Sequence, residues 1–114
     1  MSSRTPLYPL RTVQDLATAG LVDFTRKAQN QVKSLGFSLA QAKDHIAWLD
    51  LSEFRKTKDW PPHGELDDYL PLLTCPQFGD RRKVYVKLKL YRKSDGTQAV
   101  FVVSFHTEKP LSDD

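Results

Sequence analysis

The residues best suited to chemistry lie in two segments near the C-terminal end of the 114-residue chain. Segment 81–93 holds tyrosines and cations without a single acid, and segment 98–106 ends in a histidine. Lysine neutralises a phosphate, tyrosine stacks on a base or donates a proton, and histidine titrates near neutral pH. Together they could hold a phosphodiester, although lysines also protect exposed strand edges from aggregation. The basic residues of the first segment are Arg81, Arg82, Lys83, Lys87, Lys89, Arg92 and Lys93.

Residues 84–91 alternate strictly, as in a half-buried β-strand. One face carries only aliphatic side chains and is predicted to be buried. The other face carries phenols and ammonium groups and is predicted to be exposed. The aliphatic positions are Val84, Val86, Leu88 and Leu90, and the alternate positions are Tyr85, Lys87, Lys89 and Tyr91.

A hairpin is predicted to bring the two segments together, because Asp95-Gly96 is a strong two-residue turn signal. The second strand then runs from Gln98 to His106. With Ser94 paired to Thr97, the buried pairs are Leu90–Phe101, Leu88–Val103 and Val86–Phe105, and the opposite face pairs Tyr85 with His106 and Lys87 with Ser104. The Tyr85–His106 pair could belong to a catalytic site or could be a solvent-facing contact that supports the hairpin.

The first half of the chain is predicted to form three short helices, since its apolar residues recur at intervals of three and four. Thr12 and Thr25 are candidate caps of the first two helices, which Gly20 and Gly36 end. Ser38 begins the third with a capping box to Gln41. The inward positions are Val13, Leu16 and Ala17, then Ala28, Val32 and Leu35, then Leu39, Ala42, Ile46 and Leu49.

The middle of the chain is harder to assign. Residues 52–58 could form a helical turn or begin a strand, and 59–80 contain four prolines and two glycines, which predict a long loop. An edge strand near Leu66 to Leu73 is the alternative assignment within this segment. Cys75, with no neighbouring base, is interpreted as a buried inert thiol, and His45 as a packing residue rather than a metal ligand.

Composition restricts the class of protein. The chain has 17 Lys and Arg against 14 Asp and Glu, a formal charge of +3, and is long enough for a single domain over 1–114. No apolar run approaches the ~20 residues of a membrane span, and no secretory signal is visible, so we expect a cytoplasmic protein without a membrane partner. One cysteine and three scattered histidines predict neither a disulfide nor a metal site.

Several segments, in order and with nearly gapless spacing, resemble the MqsR toxins of type II toxin-antitoxin systems. The resemblance implies an α+β fold, RelE-like, in which three N-terminal helices pack on a twisted antiparallel β-sheet with a C-terminal β-hairpin. It also implies cofactor-free cleavage of mRNA and inhibition by an antitoxin of the MqsA type. The matching segments are Arg4-Thr5-Pro6, Leu10, Val13, Leu16, Ala19-Gly20, Thr25-Arg26, Ala28, Leu35-Gly36, Ile46, Leu49, Ser52-x-Phe54-x-Lys56, Asp67-x-Tyr69-x-Pro71, Tyr85-x-Lys87 and Val103-Ser104-Phe105.

The resemblance implies functional roles for Lys56 and Tyr85, which stand at the family's functional lysine and tyrosine. His106 replaces a family lysine and Leu66 replaces a glutamine. The predicted catalytic residues are therefore Lys56, Tyr85 and His106, and the predicted RNA-binding residues are Lys87, Lys89, Tyr91, Arg81 and Arg82.

The hypothesis is attack of a ribose 2′-hydroxyl on the neighbouring phosphate, which gives a 2′,3′-cyclic phosphate and a 5′-hydroxyl without a metal. His106 would protonate the leaving oxygen, Tyr85 would orient the nucleotide or share proton transfer, and Lys56 and Lys87 would stabilise the transition state.

Two other functions fit the same residues. The basic sheet could bind single-stranded RNA as a translational regulator without cutting it. A protein-interaction domain could pair its exposed sheet edge with a partner strand. The acidic loop 59–80 could contact the ribosome, and an antitoxin is expected to cover the basic face of the sheet.

Overall fold

The computed structural model describes residues 5–107, which form three helices and a six-stranded sheet. The helices are α1 (Leu10–Thr18), α2 (Arg26–Ser34) and α3 (Leu39–Ala47), followed by a 3-10 turn at Leu51–Glu53. The strands are β1 (Val22–Phe24), β2 (Phe54–Asp59), β3 (Glu65–Tyr69), β4 (Leu72–Cys75), β5 (Asp80–Arg92) and β6 (Gln98–Thr107). The α+β class, the helices and the C-terminal hairpin are as predicted.

The sheet is mixed rather than wholly antiparallel. Its strands lie in the order β1-β6-β5-β3-β2, and only β1 and β6 run parallel. β1 was not predicted, because three residues are too few to show a period of two. Each α-helix spans nine residues, and none in the described part of the chain is long and apolar enough to cross a bilayer.

Two of the three predicted helix starts are confirmed by their hydrogen bonds. The Thr25 hydroxyl accepts from the Ala28 N–H, and Ser38 and Gln41 form the reciprocal capping box. Thr12 was wrong as a cap, because α1 begins at Leu10 after Pro9, whose ring presets the backbone for a helix start. These short helices are held in place mainly by their apolar faces, which pack on one side of the sheet.

The sheet therefore has a covered face and an open face. Val86, Leu88, Val102 and Phe105 are buried against the helices, together with Tyr69. The alternate residues of the same strands point to the open face, which carries the predicted site. Leu66, Ala99 and Val103 are also buried, yet lie outside this core cluster.

Segment 65–75 is not the predicted loop. β3 and β4 both pair with β5, in one continuous antiparallel register interrupted only at Leu70-Pro71. Proline has no N–H to give to the ladder, but the Pro71 carbonyl accepts from the Val84 N–H, so the pairing carries on. The edge strand considered near Leu66 to Leu73 is thus two strands: β3 is interior, between β2 and β5, whereas β4 pairs with β5 alone among the described strands.

The predicted hairpin register was right at its far end and wrong near the turn. Lys93, rather than Ser94, pairs with Thr97, which leaves a three-residue loop closed by Gly96 at φ +89°. Leu90 therefore faces Val100 and Leu88 faces Val102. A register shift beyond Leu88 then restores the predicted pairs Tyr85–His106, Val86–Phe105 and Lys87–Ser104.

This shift makes Val103 the extra residue of a β-bulge in β6. A second bulge lies in β2, where the pairing shifts between Phe54 and Lys56 and leaves Arg55 as the extra residue. A bulge interrupts the alternation of side chains, so each one brings two consecutive residues to the open face. Those residues are Arg55 and Lys56 in β2, and Val103 and Ser104 in β6.

Gly36, between α2 and α3, packs against residues 76–77 of the β4–β5 turn. We expect it to be the glycine that tolerates substitution least. Its φ is +90°, and an added Cβ would lie 2.6 Å from the Gln77 nitrogen and 3.0 Å from Pro76 Cβ. We expect Gly36→Ala to lower the free energy of unfolding by ~2–4 kcal/mol, combining left-handed strain with overpacking.

Gly20→Ala is the matched control for this stability measurement. Gly20 has a similar φ of +81°, but nothing lies within 4 Å of its added Cβ. Its cost should be limited to ~1–2 kcal/mol of backbone strain. Urea unfolding of both variants checks the difference, and equal losses would show that the contact with 76–77 is unimportant.

Candidate functional site

Four strands place one residue each in a line across the open face. Lys56 of β2 pairs with Asp68 of β3, Asp68 with Lys87 of β5, and Lys87 with Ser104 of β6. Directly paired residues lie on the same face of a sheet, with side chains close enough to interact. The predicted cations Lys56 and Lys87 thus flank one carboxylate, and we call these four residues the central row.

The next pair along β5 and β6 is Tyr85 and His106. Their ring centroids are 5.4 Å apart with the planes tilted by 33°. His106 Nδ1 lies 3.0 Å from the Thr107 carbonyl oxygen, which can only accept, so Nδ1 carries a proton in this arrangement. Nε2 is then the nitrogen that can exchange a proton with a bound ligand.

Arg55 connects the Tyr85–His106 pair to the central row, although it was not among the predicted site residues. Its Nη1 donates to Asp68 Oδ2 at 3.0 Å, and its Cζ lies 5.1 Å from the centroid of the Tyr85 ring. Strict alternation would put Arg55 and Lys56 on opposite faces, and the bulge in β2 is what brings both to the site. The run of Arg55, Lys56 and Lys58 around Phe54 was the available signal.

Asp68 is the second residue of the candidate site that was not among the predicted site residues. Its side chain is 1% exposed, and its Oδ1 has no hydrogen-bond partner among the described residues. Burial raises the pKa of Asp68, while the nearby Arg55, Lys87, Lys56 and His106 act to lower it. The sequence signal for Asp68 was weak: it is one of two adjacent acids, and only the pairing across the sheet shows that it lies between basic residues.

Lys87 reaches from the central row towards the β2–β3 turn. Its Nζ lies 4.4 Å from the centroid of the Trp60 ring, a cation–π distance. Burial lowers the pKa of Lys87, and Lys27, Lys56 and Arg55 act in the same direction, whereas Asp68 opposes them. Beside this contact is a cleft of about 360 Å³ between the β2–β3 turn and the start of α2.

Two predicted RNA-binding residues are engaged by the protein itself. Lys89 Nζ donates to the His63 carbonyl at 2.8 Å, which ties the β2–β3 turn to β5. The Tyr91 hydroxyl donates to Asp23 of β1, and this bond raises the pKa of Tyr91 to about 12. Both side chains also contact the Phe101 ring on the open face, with Lys89 Nζ at 5.5 Å and the Tyr91 ring at 5.0 Å.

Arg81 and Arg82 lie at the other end of β5, where it pairs with β4. Arg82 Nε donates to Asp80 at 2.9 Å, and its Cζ stacks 3.9 Å from the Phe78 centroid. The structure does not place Arg82 against Tyr85 or the central row. A role for Arg81 and Arg82 in holding RNA stays a prediction.

The remaining titratable candidates have packing roles. His45 contacts the rings of Phe37 and Trp48 edge-on at 5.1 and 5.5 Å, and burial lowers its pKa. Cys75 is buried, which raises the pKa of its thiol. Within residues 5–107, no group of three or more His, Cys, Asp or Glu side chains could hold a metal ion.

The comparison with protein families identifies a relationship along nearly the whole chain. The model of a family described as motility quorum-sensing regulator, toxin of MqsA, matches residues 5–107. A search of curated proteins finds no match. The matched range includes the central row, Arg55 and the Tyr85–His106 pair.

Proposed function

The chain belongs to the MqsR toxin family, whose members are toxins of the antitoxin MqsA, and from this premise we propose that it is an endoribonuclease that cleaves mRNA. The observation that carries the proposal is the open face of the sheet. There, a phenol and an imidazole lie beside three cations gathered around the buried carboxylate of Asp68.

The proposed reaction is an internal transfer of the phosphodiester. The ribose 2′ oxygen forms a bond to phosphorus, the bond from phosphorus to the 5′ oxygen breaks, and the products are a 2′,3′-cyclic phosphate and a 5′-hydroxyl. His106 Nε2 gives a proton to the leaving 5′ oxygen. The Tyr85 hydroxyl orients the nucleotide and takes part in passing the 2′ proton to solvent. Correctly positioned proton transfer of this kind contributes ~10²–10⁴ in rate.

The cations stabilise charge that builds on the phosphate oxygens in the transition state. Lys56 and Lys87 stand on either side of Asp68, and Arg55 is held against it at 3.0 Å. Because Asp68 fixes Arg55, the delocalised guanidinium charge is held beside the two lysines. Loss of one such donor typically costs ~10²–10³ in rate.

The partners follow from the same proposal. mRNA is the substrate, which places the activity in the cytoplasm, and the ribosome stays a predicted partner. The family description implies an MqsA-type antitoxin. Binding of that antitoxin over the central row would block the site, so the toxin–antitoxin complex should not cut RNA.

The test uses RNA that contains a single 2′-deoxy residue at the scissile position. We expect the purified protein, with chelator present, to cut the all-ribose RNA and to bind the deoxy analogue without cutting it. The mechanism requires the 2′-hydroxyl as its nucleophile, so cyclic phosphate and 5′-hydroxyl ends should be recovered from the all-ribose RNA only.

Controls separate this reaction from its alternatives. A deoxy residue placed several nucleotides away should leave cleavage unchanged. Cleavage at the deoxy position would overturn the mechanism. Binding of both RNAs without cleavage, with and without ribosomes, would instead indicate a translational regulator that binds RNA.

A further inference from the structure

We infer that the cleft beside the central row binds a nucleobase of the RNA, next to the nucleotide whose phosphate is cut. This inference rests on the proposed function and adds a subsite to it. The cleft lies between the β2–β3 turn and the start of α2, and holds about 360 Å³. Its lining includes Trp60, His63, Leu66, Val103, Lys27 and Lys87.

The cleft continues from the candidate site without a gap. Lys87 and Ser104, which end the central row, also line the cleft. Tyr85 lies two residues along β5 from Lys87, which corresponds to ~7 Å along a strand. A nucleotide whose phosphate lies at Tyr85 and Lys87 therefore has its neighbour within reach of the cleft.

The chemistry of the cleft suits a flat, apolar ring attached to an anion. Leu66 and Val103 are buried and form an apolar floor, with exposures of 0% and 7%. The rings of Trp60 and His63 and two prolines supply a wall, and Lys27 and Lys87 lie at the rim. Stacking platforms flanked by cations are what single-stranded nucleic acid requires, whereas an acidic peptide would leave the aromatic wall unused.

The wall is held in place before any ligand binds. The Trp60 N–H donates to the Gly64 carbonyl, and the His63 N–H donates to the Trp60 carbonyl, both at 2.9 Å. Lys89 Nζ donates to the His63 carbonyl from the strand below. Lys87 Nζ rests over the Trp60 ring at 4.4 Å. A phosphate would attract this ammonium group and leave the ring to a base.

The bulge in β6 decides which residue accompanies Val103 on the open face. With Leu88 paired to Val102 on the covered face, Val103 points to the open face, and without the extra residue Ser104 would pair with Val86 on the covered face. The bulge instead keeps Val103 and Ser104 together on the open face, beside Leu66. Bulges often re-aim side chains next to functional sites. The hydroxyl of Thr25, also at the cleft, already caps α2 and donates to the Val103 carbonyl oxygen, so it is not available to a base edge.

The test compares a series of RNAs in which one abasic residue replaces each nucleotide around the cut site in turn. With the wild-type protein, an abasic residue at one position adjacent to the cut should raise KM by about 10- to 100-fold, the usual effect of losing one stacked base. Trp60→Ala should raise KM for intact RNA by a similar factor. For this variant, the abasic residue at that position should cause no further rise in KM. Trp60→Phe should recover most of the loss.

Trp48 provides the matched control, because it is the second tryptophan and is 68% exposed at the end of α3. Trp48→Ala should leave KM and the abasic profile unchanged. The inference is overturned if Trp60→Ala shows the same abasic profile as the wild type.

A binding measurement separates failure of this inference from failure of the proposed function. In the Trp48→Phe protein, Trp60 is the single tryptophan, so tryptophan fluorescence reports on the cleft. Stacking of a base from an uncleavable 2′-deoxy RNA should quench this fluorescence. The matching abasic RNA should quench it less. Quenching without any cleavage would support the subsite and refute the nuclease. Cleavage without quenching would refute the subsite alone. Quenching by the antitoxin but not by RNA would make the cleft a protein-binding site and overturn the inference.

Discussion

Replacing His106 by alanine is expected to lower the rate of RNA cleavage by ~10²–10³-fold, the loss of a positioned acid. His106 lies opposite Tyr85, and its Nδ1 is held by the Thr107 carbonyl, so Nε2 is the atom available to the leaving oxygen. Single-turnover kinetics on a defined mRNA, with the ends mapped, measure the effect. Because the imidazole is proposed to act in the transition state, kcat should fall while KM changes little.

Two comparisons make this result specific. His106→Lys restores the residue that the family resemblance places there, so we expect it to retain part of the activity with a changed pH profile. Binding of the 2′-deoxy RNA should be the same within a few fold for wild type and His106→Ala. A variant that cuts at the wild-type rate would remove His106 from the mechanism.

Substitutions of the neighbouring acids Asp67 and Asp68 should have different effects, one on stability and the other on catalysis, because the two side chains point to opposite faces of β3. Asp67 is buried on the helix side, where it accepts from the N–H groups of Leu7 and Tyr8 at 3.0 and 2.8 Å and from the Thr57 hydroxyl. Asp67→Asn weakens these charge-assisted bonds and should reduce the free energy of unfolding by about 2–4 kcal/mol. Its cleavage rate, measured well below the unfolding transition, should remain near that of the wild type.

Asp68→Asn should instead separate binding from catalysis. Removing its charge leaves Arg55, Lys56 and Lys87 without the carboxylate between them, so RNA should bind more tightly at low salt and with a steeper salt dependence. Arg55 loses its 3.0 Å partner, and misplacement of that guanidinium should lower kcat by up to ~10²-fold. A lower KM together with a lower kcat is the expected signature.

Only a positioning role for Asp68 predicts that KM and kcat both fall. A purely structural role would reduce the melting temperature and leave both kinetic constants of the folded fraction unchanged. Equal rates and equal affinities for Asp68→Asn and wild type would show that the carboxylate does not organise the cations. The Asp67→Asn protein, with the same change one residue away, controls for the substitution itself.

The parts of the fold that were predictable from sequence are those with a local signal. The caps at Thr25 and Ser38, the apolar stripes of the helices and the alternation of 84–91 each depend on residues close in the chain. In place of β3 and β4 the sequence indicated a loop, with an edge strand near Leu66 to Leu73 as the alternative, because the flanking prolines and the acids of β3 are typical of a loop. The pairing of these two strands with β5 is a long-range contact that no short window shows.

The positions of the candidate site residues were predicted partly for the right reason. Lys56 came from the family resemblance, Tyr85 from both the alternation of 84–91 and the resemblance, and His106 from its pairing with Tyr85. That pairing emerged from a turn taken one residue too short and a bulge that was not foreseen, two errors that cancel beyond Leu88. Phe101 shows the cost, because it was predicted to be buried beside Leu90 and instead contacts Lys89 and Tyr91 on the open face.

The bulge at Val103 has a consequence for how related sequences should be aligned. The bulge determines which face His106 occupies, because the Leu88–Val102 register continued without an extra residue would put Phe105 opposite Tyr85. A relative without the bulge should therefore lack one residue of β6 at the position of Val103, and with that gap its residue equivalent to His106 stays opposite Tyr85. An alignment that places this gap in the turn at 94–96 instead would shift the residues between the turn and the bulge by one position, so the residues equivalent to Phe101 and Val102 would be assigned to the wrong faces.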